Sequence, residues 1–318
     1  MPAVTSRLPE GVRVGHWTDR EAWTGCTVCL LPDGSVASCE VRGGAPGTLG
    51  SDILLPSSAV PGAHALLLTG GSAFGLAAAD GVVSWLAERG IGYPTGAALV
   101  PLVAGAVVFD LGLGDSDARP TAESGYEACE AASTTVERGS VGAGTGCTVG
   151  KLLGSEHWTK GGIGFSSVDL AGGAVVAALA VVNAVGEILA EDGSILAGIW
   201  LHGAFSPSTK AVAAGDGMRL LWREATTLVC VVTDAVLAKT ETWVCARAAN
   251  AGVARAVSPV WTAFDGDTVF CAATQRFETD VLAVHVAAAE VVADAIRDGV
   301  RQAIGAPGCP AASERQRL

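Results

Sequence analysis

Four places in the chain put polar side chains where they could do chemistry. Thr226 and Thr227 stand directly before an apolar, β-branched run in TTLVCVVTDA. Threonine is common at strand starts, so this is an ordinary strand opening unless a base arms the hydroxyl as a nucleophile. Asp265 and Asp267 flank a glycine in AFDGDTVF. Asp-Gly between apolar residues signals a hairpin turn. The alternative is a pair of carboxylates at a strand entrance that orients an amine or a hydroxyl. Lys151 follows a glycine-rich loop; it is a solvated cation, or, if buried, a cation beside a reacting oxygen. Asn183 is the single polar side chain in LAVVNAVGE. A buried amide needs a partner, which is either a backbone group or an oxyanion facing its NH₂.

Familiar motifs fail residue by residue. GAGTGCTVGK lacks the phosphate-loop pattern, because Thr145 and Leu152 stand where glycine and Ser or Thr are required. Cys147 breaks the dinucleotide fingerprint, and Phe74 breaks a G-x-S-x-G elbow in TGGSAFG. Cys26 and Cys29 form a C-x-x-C, but GCTVCLLP reads as a strand and sends the two thiols to opposite faces. With five isolated histidines and no H-E-x-x-H, neither a metal site nor a cofactor is expected, and the nine cysteines are expected to be buried thiols in a reducing compartment. The net charge of −12, without a basic run, argues against nucleic-acid and anionic-membrane partners. MPAVTSRLPEGVRVG lacks the apolar core of a signal peptide, so the cytoplasm is the expected compartment.

The elements that must position these residues alternate. RVGHWTD, TGCTVCLLP and SVASCEVRGG read as a short-stranded meander with PDGS as a turn. HALLLTGG is an apolar strand running into a helix over SAFGLAAADGVVSWLAERG, with Leu76, Ala79, Val83 and Leu86 at helical spacing. VVAALAVVNAVGEIL reads as a buried strand or hairpin. SPSTKAVAAGDGMRLLWREA reads as a polar, irregular connection. Two further strands, TTLVCVVTDA and DTVFCAAT, alternate with helices over LAKTETWVCARAANAGVARAV and ETDVLAVHVAAAEVVADAIRDGVRQA, the latter with acidic residues in its first turn. Residues from about 304 to 318 read as a disordered tail. Fully apolar strands interleaved with helices imply an α/β (α+β) chain whose sheet is covered on both faces. Glycine, 42 of 318 residues and about twice the usual share of roughly 7%, clusters in RGGAPG, TGGSAFG and GAGTG and marks tight turns and close backbone approaches.

Taken in order, VRGGAPGT, LTGGSAFGLAAADGV, VGAGTGCTVGK, TTLVCVVTDA and FDGDTVF resemble the self-processing L-aminopeptidase/D-esterases, β-aminopeptidases and nylon-oligomer hydrolases, over residues 12 to 303. The resemblance implies a four-layer αββα sandwich, like the N-terminal-nucleophile hydrolases but with different connectivity. It implies a single domain that cleaves itself before Thr226 into residues 1–225 and 226–318, with Thr226 as nucleophile. Lys151, Asn183, Asp265 and Asp267 match positions around that nucleophile, and Phe74 matches an aromatic position near the substrate. Asn183, with Lys151 as a second candidate, would stabilise the oxyanion, and the two aspartates would hold the threonine and its amine. The expected substrate is a small peptide, β-peptide or amide oligomer with a free amine, and the expected assembly is a homo-oligomer of processed pairs. Two departures stand out: Ala225 replaces the asparagine common before the nucleophile, and Phe74 replaces a tyrosine. The alternatives are an acyltransferase of the ornithine-acetyltransferase type and an unprocessed, non-catalytic member.

Overall fold

A computed structural model describes residues 4–5, 7–214 and 225–317. Two stacked sheets are built from β1 (Val4–Thr5), β2 (Arg13–Asp19), β3 (Thr24–Leu30), β4 (Val36–Val41), β5 (Thr48–Leu49), β6 (Ala65–Thr69), β7 (Val103–Val107), β8 (Gly162–Asp169), β9 (Val175–Asn183), β10 (Thr226–Ala235) and β11 (Thr268–Phe277). One sheet runs β2-β3-β6-β7-β5 and the other β1-β8-β9-β10-β11-β4. Four helices flank them: α1 (Ala78–Glu88), α2 (Ala122–Glu130), α3 (Lys239–Ala256) and α4 (Val281–Arg301).

Three apolar layers hold the stack together. Cys26, Val28 and Leu67 pack under α1 and α2 on one outer face. Leu66, Leu68 and Ala104 meet Leu179, Leu228 and Phe270 between the sheets. Val229, Val231 and Val269 meet α3 and α4 on the other outer face. The result is helix, sheet, sheet, helix: the expected four layers. Strand alternation assigns each face. In β10, Leu228, Cys230 and Val232 point between the sheets while Val229 and Val231 point at the helices. In β3, Cys26 and Cys29 face opposite ways, as the strand reading requires.

Five expectations change. The N-terminal strands are not one meander: β2 pairs with β3, but the turn at Pro32–Ser35 carries the chain to the other sheet, where β4 pairs with β11. Val36–Val41 has a partner only there, because β6 already occupies the free edge of β3. The helix after β6 begins as a 3₁₀ turn at Ser72–Ala77, and its buried face is Ala78, Ala79, Val82, Trp85 and Leu86, with Leu76 and Val83 half-buried. At α4 the acidic residue nearest the start, Asp280, is the cap: its side chain accepts from Leu282 N–H at 2.8 Å, and the first turn itself has none. The C-terminal segment is not a free tail. Cys309 and Ala306 pack beside Leu113, Trp23 and Trp158, a short helix forms at Ala312–Arg315, and Arg315 donates to Trp158 O. These apolar and backbone contacts offset the chain entropy that would otherwise leave the segment loose. The expected polar connection contains a short helix at Ser208–Ala213, while residues 215–224 lie outside the described residues.

Candidate active site

Topology alone gathers the polar residues at one end of the second sheet. β10 lies between antiparallel β9 and parallel β11. The start of β10, the end of β9 and the start of β11 therefore coincide in space. These carry Thr226, Asn183 and the Asp265–Asp267 segment. Thr226 stands directly opposite Asn183 in the β9–β10 register. Both fall at positions whose neighbours two residues along, Leu228 and Val181, point between the sheets. Ala225 forms an isolated parallel bridge with Asp265. The Asp-Gly pair is thus no hairpin turn; it leads into a parallel strand beside the threonine.

Thr226 is 5% exposed. Its Oγ1 donates to the carbonyl oxygen of Ala225 at 2.5 Å, and Gly266 N–H donates to that same oxygen at 3.0 Å. Lys151, only 3% exposed, donates from Nζ to Asn183 Oδ1 at 2.8 Å. Thr148 N–H donates to the same Oδ1 at 3.0 Å, and Asn183 Nδ2 donates to Phe109 O at 2.9 Å. These bonds define which end of the amide is oxygen. The solvated reading of Lys151 is overturned, and both candidate roles of Asn183 remain compatible with its contacts.

The carboxylates are buried too. Asp265 accepts through Oδ2 from Thr262 N–H at 2.8 Å and Thr262 Oγ1 at 2.6 Å. Burial raises its pKa, and the Thr262 bonds oppose the rise. Asp267 Oδ1 accepts from Thr227 N–H at 2.5 Å. Burial, followed by repulsion from Asp265, pushes the Asp267 carboxyl up to about 8. The glycine loop of the first motif wraps this pair. A side chain at Gly43, which has φ +87°, would sit 2.2 Å from Asp265 O, so only glycine permits the loop's approach.

Phe74 takes no part in these hydrogen bonds. It lies on the 3₁₀ turn after β6, 59% exposed, with the Arg119 guanidinium 3.9 Å above its ring. Among the described residues no group of three or more His, Cys, Asp or Glu could hold a metal ion.

The profile of peptidase family S58 matches residues 10–312. The chain belongs to that family. An uncharacterized aminopeptidase of Mycobacterium leprae is 41% identical over 293 residues, covering 86% of this chain and 79% of that protein. A 6-aminohexanoate-oligomer endohydrolase of Kocuria is 28% identical over 313 residues, covering 92% and 84%. An L-aminopeptidase D-Ala-esterase/amidase from Ochrobactrum anthropi, a variant of the Ntn hydrolase fold, superposes with a TM-score of 0.71 at 21% identity, over 97% of this chain and 91% of that one. This S58 member is a hydrolase of peptide or amide bonds. Acyl transfer and a non-catalytic role are not favoured by these relatives.

Two buried residues escaped the sequence reading. Asp110 accepts from Gly71 N–H at 2.6 Å and from Thr24 Oγ1 at 2.8 Å. Lys160 donates to three backbone carbonyls. Asp110 follows an apolar stretch and precedes a glycine-rich one, so it reads as a loop residue. Its sequence signals are two glycines: a side chain at Gly70 would come within 2.1 Å of Asp110 Oδ2, and one at Gly146 within 2.6 Å of Asp110 Cβ.

Proposed function

We propose that the chain cleaves its own Ala225–Thr226 bond, and that the released Thr226 is the nucleophile of the hydrolase. The observation that carries this reading is the Ala225 carbonyl, whose oxygen takes Thr226 Oγ1 at 2.5 Å and Gly266 N–H at 3.0 Å. Attack of Oγ1 on that carbonyl carbon breaks the C–N bond, the departing nitrogen takes the proton, and an ester forms. Water hydrolyses the ester, returning the hydroxyl and leaving a carboxylate on Ala225. The Gly266 N–H is placed to stabilise the oxyanion of this step. That donor belongs to the backbone and is in place with alanine at position 225.

Cleavage creates the base. A free α-amine has an ordinary pKa of about 7.7–8.0, so it can accept the hydroxyl proton near neutrality. Thr226 then attacks the substrate carbonyl, with Asn183 and Lys151 beside the developing oxyanion. An Asp267 carboxyl held largely neutral spares the site a second negative charge next to Asp265.

The substrate class we propose is a short peptide, β-peptide or amide oligomer with a free amine, drawn by the acidic chain. Phe74 would touch it at the rim. We further propose a homo-oligomer of processed pairs, and a cytoplasmic location that suits nine free, buried cysteines. No described helix is long and apolar enough to cross a membrane. Edman sequencing of active protein tests the central step: a second chain should begin Thr-Thr-Leu and run over residues 226–318. Active protein with only the original N-terminus would overturn the reading.

A further inference from the structure

We propose that Asp110 is a positioning residue: its carboxylate, clamped by Thr24 and Gly71, holds the Lys151 ammonium on the Asn183 amide oxygen. The proposal rests on the reading that Asn183 and Lys151 serve the oxyanion of the Thr226 reaction.

Three observations converge on it. Asp110 is 4% exposed, and each carboxylate oxygen has its own donor: Gly71 N–H on Oδ1 at 2.6 Å and Thr24 Oγ1 on Oδ2 at 2.8 Å. The clamp leaves the carboxylate little rotational freedom. Asp110 and Lys151 line one narrow void, together with Phe109, Thr148 and Trp158. The residue before Asp110 is Phe109, whose carbonyl oxygen takes the Asn183 Nδ2–H at 2.9 Å. One dipeptide therefore bears on both ends of the oxyanion machinery: its backbone holds the amide nitrogen, and its second residue lines the same void as the cation that holds the amide oxygen.

Electrostatics gives the arrangement its purpose. A buried ammonium is costly without opposite charge nearby. The Lys151 charge acts on Asp110 and on Asp265, lowering the pKa of each against the upward push of burial. Asp265 is already engaged by Thr262 beside the threonine. Asp110 approaches from the other sheet's side, next to Thr24 at the start of β3 and Gly71 just past β6. Neutralising it would loosen Lys151 and let the Asn183 amide turn, and catalysis would suffer more than substrate binding.

The test is a double-mutant cycle on the purified full chain, with kcat and KM measured on processed protein and the rate of fragment appearance recorded. Asp110→Asn should lower kcat by about 10- to 10²-fold and change KM less than about threefold, a fraction of the roughly 10²–10³ that loss of an oxyanion donor costs. In a Lys151→Met background the same change should cost less than about twofold, because the residue it acts through is gone. An equal loss in both backgrounds, or no loss in either, overturns the proposal. Should Asp110→Asn not fold, Thr24→Val, which removes one arm of the clamp, enters the same cycle and is judged by the same two outcomes. Thr226→Ala is measured alongside. If it still hydrolyses amides, the nucleophile reading has failed; if it is inactive while the Asp110 and Thr24 variants match wild type, only the positioning role has failed.

Discussion

Lys151 and Lys160 are both buried, one just after a glycine-rich loop and the other just before Gly161 and Gly162, and they hold different kinds of partner. Lys160 is fully buried, and its three N–H donors go to the carbonyls of Gly144 at 3.0 Å, Cys147 at 2.9 Å and Gly161 at 2.9 Å. Its acceptors are backbone, so it ties the GAGTG loop to the strand that follows. Burial brings its pKa down to about 8. Lys151 donates instead to the Asn183 side chain, which stands opposite the threonine. Burial is common to the two; the chemical type of the acceptor separates a structural tie from the participant we propose. A backbone carbonyl has nowhere to go, whereas a side-chain amide can be aimed.

The comparison can be broken at its base. Thr226→Ala should abolish both self-cleavage and hydrolysis while leaving the fold intact, as read by mass spectrometry and circular dichroism. A variant that still turns over substrate removes the reason for calling the Lys151 end of the sheet a site. Asn183→Ala should slow turnover by roughly 10²–10³-fold, the usual loss for one oxyanion donor. Turnover near the wild-type rate would demote both Asn183 and Lys151 to packing.

The lysine pair itself gives the sharpest contrast. Lys160→Met takes a donor from three carbonyls; Cys147 O still accepts from Gly161 N–H at 2.8 Å and Gly144 O from Cys147 N–H at 3.4 Å, so the cost is about 1–3 kcal/mol, that of one buried group left unsatisfied. It should lower the melting temperature markedly, while kcat per folded, processed molecule stays near wild type. Lys151→Met should do the reverse, with a small thermal shift and a kcat loss of about tenfold or more. Identical profiles for the two variants would erase the distinction.

A pH dependence tests the carboxylate pair beside the threonine. The Asp267 carboxyl is raised from its ordinary value near 3.8 to about 8. Between those values the folded state keeps a proton that the unfolded chain releases, so this contribution to stability is present below about pH 4 and is lost as pH rises toward 8. Asp267→Asn keeps an oxygen for Thr227 N–H and has no proton to lose. Its denaturation midpoint should fall less than that of wild type over this range; parallel curves would show that Asp267 is ionised in the folded state.

Much of this site was legible in the residues. TTLVCVVTDA is a strand from its first threonine to its last alanine, because an unbroken β-branched, apolar run has no helical face to offer. Asn183 stood out for the same reason: an amide inside such a run must find a partner. Asp265 and Asp267 were harder, since Asp-Gly is also a turn signal, and only the parallel pairing of β11 with β10 removed that reading. Asp110 and Lys160 were not legible, because their partners, Thr24 and Gly71 for the one and the GAGTG loop for the other, are brought to them by tertiary folding that no local rule supplies. The C-terminal segment was not legible because Ala306 and Cys309 find cover from Trp158, Leu113 and Trp23, more than a hundred residues earlier in the chain, while Ala312 joins the core under the helices.

Local pattern thus decided which segments become strands and helices, and which polar side chains those strands must bury. That information is short-range: side-chain alternation, apolar runs and glycine punctuation extend over a few residues. Which strands lie side by side, in which direction and in which sheet, depended on apolar faces meeting across the whole chain. That meeting set Thr226 opposite Asn183, brought Asp265 to the Ala225 bond and gave Lys151 a side chain to hold in place of a backbone carbonyl.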